Sequence, residues 1–279
     1  MKPDKFLIIA IGALLLILII IIILGGAAIL CLLTLKAGPI TGGGALLQKT
    51  YDYNGTLSGF DQVNLQVNDL NGNIIVKKGD SDNFDISVNT QGTKSDYSYY
   101  NVSFSQSGAS GSKTLGLKIT NNGIITPPFN SQYHSDIIVT IPDDKTYDMD
   151  LGNANGRIEA GQFNCNMLTM NTANGGLISM ANATTASYNT ANGLINITTL
   201  ALSGSINAST FNGEIDVTVP SAAGVSINAH LVNGEISTNL PMDVTDKGIL
   251  SFAGKTPNYS NGLSLDLSTM NGNINVNAV

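Results

Sequence analysis

Apolar positions along this chain follow two different rules. From Phe6 to Leu35 they are almost uninterrupted: only Gly12, Gly25, Gly26 and Thr34 fall outside the strongly apolar set, and Lys5 and Lys36 bracket the run. A helix needs about 20 apolar residues to span the hydrocarbon core at about 1.5 Å per residue. The run therefore predicts one transmembrane helix within residues 1–37. It is about twice the length of a signal-peptide core, and Leu30 stands where a lipoprotein box before Cys31 would need a small residue, so an uncleaved anchor is expected. Lys2 and Lys5 ahead of the run favour a cytoplasmic amino end, with everything after the run outside the cell.

Beyond residue 50 the rule changes to alternation, punctuated by a recurring dipeptide. Asn-Gly recurs at Asn71, Asn155, Asn174, Asn192, Asn212, Asn233 and Asn271, and after the first step the spacing is close to 19 residues or, last, twice that. Six residues before each Asn stand Leu65, Met149, Leu168, Ala186, Ile206, Ile227 and Leu265; four before stand Val67, Leu151, Met170, Tyr188, Ala208, Ala229 and Leu267. Three after come Ile74, Ile158, Ile195, Ile215, Ile236 and Ile274, and in the third repeat Gly176 reads as a one-residue bulge that moves the isoleucine to Ile178. Each unit is strand, corner, strand, and repeats of about 20 residues predict a solenoid.

Asn-Gly between alternating strands also signals a hairpin, so a β-meander sandwich or barrel is the alternative. A hairpin would turn the residue two before each Asn inward, where Asp69, Asn153, Thr172, Thr190, Thr210, Leu231 and Thr269 stand. It would turn the residue one before outward, and that one is apolar in all seven. A parallel β-solenoid corner, with the apolar residue as its plug and Gly at positive φ, fits better. Stacked corners would place the asparagines in a column about 4.8 Å apart, hydrogen-bonded amide to amide. Asn is then mainly scaffold.

Between the first two repeats, Phe84, Ile86 and Val88 alternate, as do Tyr100, Val102 and Phe104, Leu115, Leu117 and Ile119, and Ile137, Val139 and Ile141. They predict an antiparallel β insertion over about 80–145, with loops at Pro127-Pro128 and Pro142. The domain plan is an anchor over 1–37, a Gly-rich flexible linker over 38–50 and an all-β domain over 51–279 whose Asn-Gly repeats fill about 147–279. The stretch from Gly248 to Gly262 reads as a looped-out turn.

Composition narrows function. Residues 38–279 carry 10 Lys+Arg against 19 Asp+Glu, with Arg157 as the one arginine, three glutamates and no Trp. Such a surface cannot neutralise a phosphate backbone, which argues against nucleic acid. Cys31 and Cys165 are the two cysteines, so the external part has no disulfide framework. Asn-x-Ser/Thr sequons at Asn54, Asn101, Asn182, Asn196, Asn207 and Asn258 are no more than such a composition produces by chance.

The NG-x-I units (NGNIIV, NGRIEA, NGLINI, NGEIDV, NGEIST, NGNINV), together with DIIVTIPDDKTYDMDLGNANGRIEA, resemble the adhesin family of prokaryotic surface proteins, the β-helical repeat domains that include the head GIN type. The resemblance covers about residues 51–279. It implies a surface-exposed, non-catalytic domain, with no catalytic residues to carry over.

Candidate chemistry is sparse. Glu214 and Glu235 share the position two after the Asn in consecutive repeats, with Asn73, Arg157, Leu194 and Asn273 as other members. Stacking would bring the two carboxylates to about 5 Å, the spacing of a retaining glycosidase or a cation bridge. Their plainer reading is two solvated side chains. Asp80, Asp82 and Asp85 look like a calcium loop, but Phe84 and Asp85 stand where that loop needs Asp/Asn and Gly. His134 and His230 have no matched partners, and Cys165 reads as a small buried filler. No catalytic, cofactor or metal site is assigned. The expectation is a non-enzymatic surface adhesin or structural module. Its partners are the bilayer through residues 6–35, a cell-surface glycan or protein, and another copy through an open strand edge at the C-terminal end, unless an inserted loop covers that edge. An envelope-stress component or a carbohydrate-active β-helix enzyme are the alternatives.

Overall fold

The computed structural model describes residues 45–109, 111–121 and 132–279. The anchor expected over 6–35, residues 38–44 of the linker and the Pro127-Pro128 loop lie outside them. Among the described residues no helix is long and apolar enough to cross a membrane.

The described residues from 45 onwards are all-β, apart from one helical turn at Asp96–Tyr99, and build two large mixed sheets, neither closed into a barrel. Strands are numbered in chain order. Neighbour by neighbour, the first sheet holds β1 (Leu47–Thr56), β4 (Asn83–Gly92), β7 (His134–Ile141), β3 (Ile74–Lys78), β9 (Ile158–Ala160), β11 (Leu177–Ser179), β13 (Ile195–Thr198), β15 (Ile215–Val219), β21 (Ile274–Ala278) and β17 (Ile236–Thr238). The second holds β18 (Asp243–Lys247), β19 (Ser251–Lys255), β16 (Val225–Asn233), β20 (Leu263–Asn271), β14 (Gly204–Asn212), β12 (Asn182–Asn192), β10 (Asn164–Asn174), β8 (Thr146–Asn155), β2 (Gln62–Asn68), β6 (Ser112–Asn121) and β5 (Tyr100–Ala109).

Every Asn-Gly of the repeat carries the chain from the second sheet to the first. The two strands it joins are therefore not paired with each other, which removes the hairpin meander. Pairing runs instead from repeat to repeat, in parallel: Leu168 lies beside Met149 and Ala186, and Ile195 beside Leu177 and Ile215. The columns six and four residues before the Asn are buried throughout and, with the column three after, fill the space between the sheets. The third repeat contains no bulge at its corner. Leu177 occupies the isoleucine column and Ile178 points away from the core, so Gly176 adds no residue. A register slip occurs elsewhere, between Cys165 and Met167 of β10 against β8.

The order of rungs in space is not their order in the chain. β20 lies between β14 and β16, and β21 between β15 and β17, so the seventh repeat sits between the fifth and the sixth. The expected open edge at the C-terminal strand is thus absent: β21 is paired on both sides. The segment around 248–262 is not a simple looped-out turn either. It includes strand β19, which pairs antiparallel with β18 and with the outer edge of β16.

At the other end the insertion is partly parallel. β6 and β7 continue the two sheets in parallel beyond β2 and β3, while β4, β1 and β5 close them antiparallel. β1 begins at Leu47, so the last residues of the expected linker are strand. Aromatic rings fill this end: Tyr53 stacks on Phe104 at 4.6 Å between centroids, and Tyr100 on Tyr133 at 3.8 Å.

Candidate functional site

The most regular feature of the surface is the Asn-Gly corner. Asn174 donates its amide to Asn155 at 2.9 Å, Asn192 to Asn174 at 2.8 Å, Asn212 to Asn192 at 2.8 Å, Asn271 to Asn212 at 2.7 Å and Asn233 to Asn271 at 2.8 Å. The expected ladder is therefore present and follows the spatial order of the rungs. Asn71 lies beside Asn155 in a parallel bridge and donates to the Tyr133 carbonyl instead.

Behind it runs a second ladder that sequence reasoning missed. The residue two before each Asn faces inward. Thr172, Thr190, Thr210 and Thr269 donate to the carbonyls of Gly156, Gly175, Gly193 and Gly213, each on the neighbouring rung, at 3.0–3.3 Å. Asn153 does the same to Gly72. The expected plug is reversed: these polar residues are buried, and the apolar residue beside the Asn (Ala173, Ala191 or Phe211) is half-buried on the outer side. A hydroxyl can point inward here because it meets a carbonyl that would otherwise be buried unpaired. The glycines are fixed mainly by close approach. A Cβ on Gly175, Gly193 or Gly213 would lie 1.9 Å from the carbonyl oxygen of the preceding corner glycine; positive φ is added at Gly156 (132°) and Gly234 (139°).

The outer face of the second sheet is polar and also columnar. One column reads Asn68, Gly152, Asn171, Asn189, Ser209, Ser268, His230 across adjacent strands. Asn189 donates to Asn171 at 3.0 Å, and the Ser209 and Ser268 hydroxyls are 2.9 Å apart.

Glu214 and Glu235 are not neighbours. Asn273 lies between them, because β21 separates β15 from β17, and two strand spacings put their backbones about 10 Å apart. Consecutive repeats predict adjacent rungs, but the seventh repeat lies between these two. Glu214 accepts from Asn275 at 2.6 Å, and Asn275 also donates to Asp216 at 2.7 Å. Asp82 lies 3.5 Å from Lys145, while Asp80 and Asp85 border an open depression of about 550 Å³ with Asn54, Thr56 and Thr140. Among the described residues no group of three or more His, Cys, Asp or Glu could hold a metal ion. His134, on β7 of the first sheet, meets Asp136 at 3.2 Å, whereas His230 is exposed on β16 of the second sheet. Cys165 is buried, and burial pushes its thiol up to about 12.

Asp69 is the polar residue the sequence disguised. It occupies the inward threonine column of the first repeat and is 5% exposed. Its Oδ1 accepts from Ser135 at 2.6 Å and from the Leu70 N–H at 2.7 Å, whereas Oδ2 is buried without a hydrogen-bond partner among the described residues. Desolvation outweighs those bonds and raises its carboxyl to about 6. The signal available was its departure from a column that is otherwise Thr, Asn or Leu.

No protein-family model matches the chain, and no curated protein matches it. Among solved structures, it is similar to a "putative cell adhesion protein" from Clostridium sporogenes at 12% identity and a TM-score of 0.45, covering 84% of this chain and all of that one. It is also similar to a "putative adhesin" from Bacteroides fragilis at 13% identity and a TM-score of 0.36, covering 85% of this chain and all of that one. A "putative lipid binding protein" from Parabacteroides distasonis follows at 14% identity and a TM-score of 0.25, with 82% and 96% covered.

Proposed function

We propose that this chain is a membrane-anchored β-solenoid, displayed outside the cell, that acts without catalysis as an adhesin or structural interaction module. The observation that carries the reading is the columnar outer surface. Asn or Ser recurs on the four successive rungs from Asn171 to Ser268, on a face built from parallel strands in register. Asn171 and Ser209 are buried within this column, so a partner that itself repeats, such as a glycan strand, meets the more open Asn189, Ser268 and His230, and individually weak contacts add through avidity. The anchoring part of the reading rests on the apolar run from Phe6 to Leu35.

The test uses the full chain held in lipid nanodiscs on an array of cell-envelope glycans, with and without calcium. Saturable, competable binding without product release is expected, and Asn189→Asp together with Ser268→Asp weakens it by placing charge in the column. Product release from any polysaccharide overturns the non-catalytic reading. Binding unaffected by the column variants moves the contact to another face.

A further inference from the structure

Asn-Gly is the dipeptide most prone to lose ammonia on its own. The glycine nitrogen attacks the asparagine Cγ, its proton leaves to solvent, ammonia departs, and a succinimide ring closes. Water then opens the ring at either carbonyl to give aspartate or isoaspartate, so one water is consumed and one ammonia released. The reaction needs a glycine N–H free to give up its proton, an amide free to rotate towards it, and water within reach.

The ladder withholds these conditions rung by rung. The N–H groups of Gly156, Gly175, Gly193, Gly213 and Gly272 are each donated to the carbonyl of the next rung's asparagine at 2.9–3.0 Å. The amides of Asn174, Asn192, Asn212 and Asn271 are held on both sides, donating to one neighbour and accepting from the other. Their glycines are partly buried.

Asn233-Gly234 differs on every count. Its rung is the outermost of the corner stack, because β17 is the last strand of the first sheet. The Gly234 N–H has no acceptor among the described residues, and Gly234 is exposed, unlike the other six corner glycines. Among the described residues the Asn233 side chain keeps one bond, to Asn271, and its oxygen accepts none.

We propose that Asn233 is a spontaneous modification site: it converts to aspartate or isoaspartate in the folded protein, while the stack protects Asn174, Asn192, Asn212 and Asn271. The product loses the amide donor facing the Asn271 oxygen. Isoaspartate also lengthens the backbone by one atom where β16 turns towards β17, so the terminal rung loosens once the change has occurred.

The test is peptide mapping of the full chain in detergent after incubation at 37 °C and mildly alkaline pH, with a parallel sample in concentrated urea. In the folded protein, Asn233 converts roughly tenfold or more faster than the four protected asparagines, whose reaction waits on local opening. Asn261-Gly262, outside the ladder, reports an exposed asparagine before a half-buried glycine under the same conditions. In urea the five ladder rates converge. Equal rates in the folded protein, or an inert Asn233, overturn the proposal. So does the same ranking in urea, which would assign the difference to local sequence and not to the stack.

Discussion

A corner glycine in this chain is defined by what lies against it more than by its own torsion angles. Gly193 has the Gly175 carbonyl where its Cβ would be, whereas Gly176 meets its nearest atom, the Leu194 carbonyl, at 3.6 Å. Gly193→Ala therefore destabilises by about 3 kcal/mol and Gly176→Ala by less than about 1 kcal/mol, as measured by urea unfolding. Thr190→Val keeps the shape but leaves the Gly175 carbonyl without its hydroxyl donor, and costs about 1 kcal/mol. Asp69 adds a pH signature. Its carboxyl titrates near 6 in the folded protein and lower when unfolded, so folding binds its proton more tightly. The contribution is fully present below about pH 4 and is lost as pH rises to about 6, a change of about 2–3 kcal/mol. Stability curves for the wild type and Asp69→Asn should differ in slope across that window and run parallel above it. A wild-type curve without this slope would place the proton elsewhere.

At the scale of elements, the strands were the most legible part. Period-two alternation marked the inward columns at six and four residues before each Asn, and marked the four insertion strands beginning near Phe84, Tyr100, Leu115 and Ile137; all of them are buried or packed on the core. The corner ladder was legible too, because identical residues at near-constant spacing can stack. Rung order was not. The spacing from Asn233 to Asn271 reports distance along the chain, and the same 38 residues fit a skipped turn or a hairpin with a return. That ambiguity made neighbours of Glu214 and Glu235, and it left the inward threonines unexplained until the glycine carbonyls were located. For β20 the consequence is testable. Leu265 is buried between Ile206 and Ile227, and Leu265→Ala costs about 3 kcal/mol. Hydrogen exchange in that variant speeds first in Val225–Asn233 and leaves β8 to β12 protected.

For the whole folded unit, nearly every pairing joins residues far apart in sequence, and most are parallel. Such topologies fold slowly because loop closure precedes the contacts that compensate for it. Stability along the stack behaves as rung-to-rung contributions, so damage at one end frays that end first. The two ends are built differently. One is closed by the long strands β1, β4 and β5 around stacked aromatic rings, the other by short β17 and the exposed strand β18. Partial proteolysis should accordingly cut first within residues 240–262 and spare 51–109.

The seventh repeat, seated between the fifth and sixth, has a consequence for how the molecule is made. A chain that emerges amino end first can stack its rungs up to β15 as they appear, but β16 has only β19 beside it, and β17 has no neighbour, until residues 263–279 arrive. Those residues act as a keystone: this end of the stack stays open until β20 and β21 slide in between their neighbours. A product halted before Leu263 is left with two unsatisfied edges in place of a slightly shorter stack, which is the kind of defect that quality-control proteases recognise.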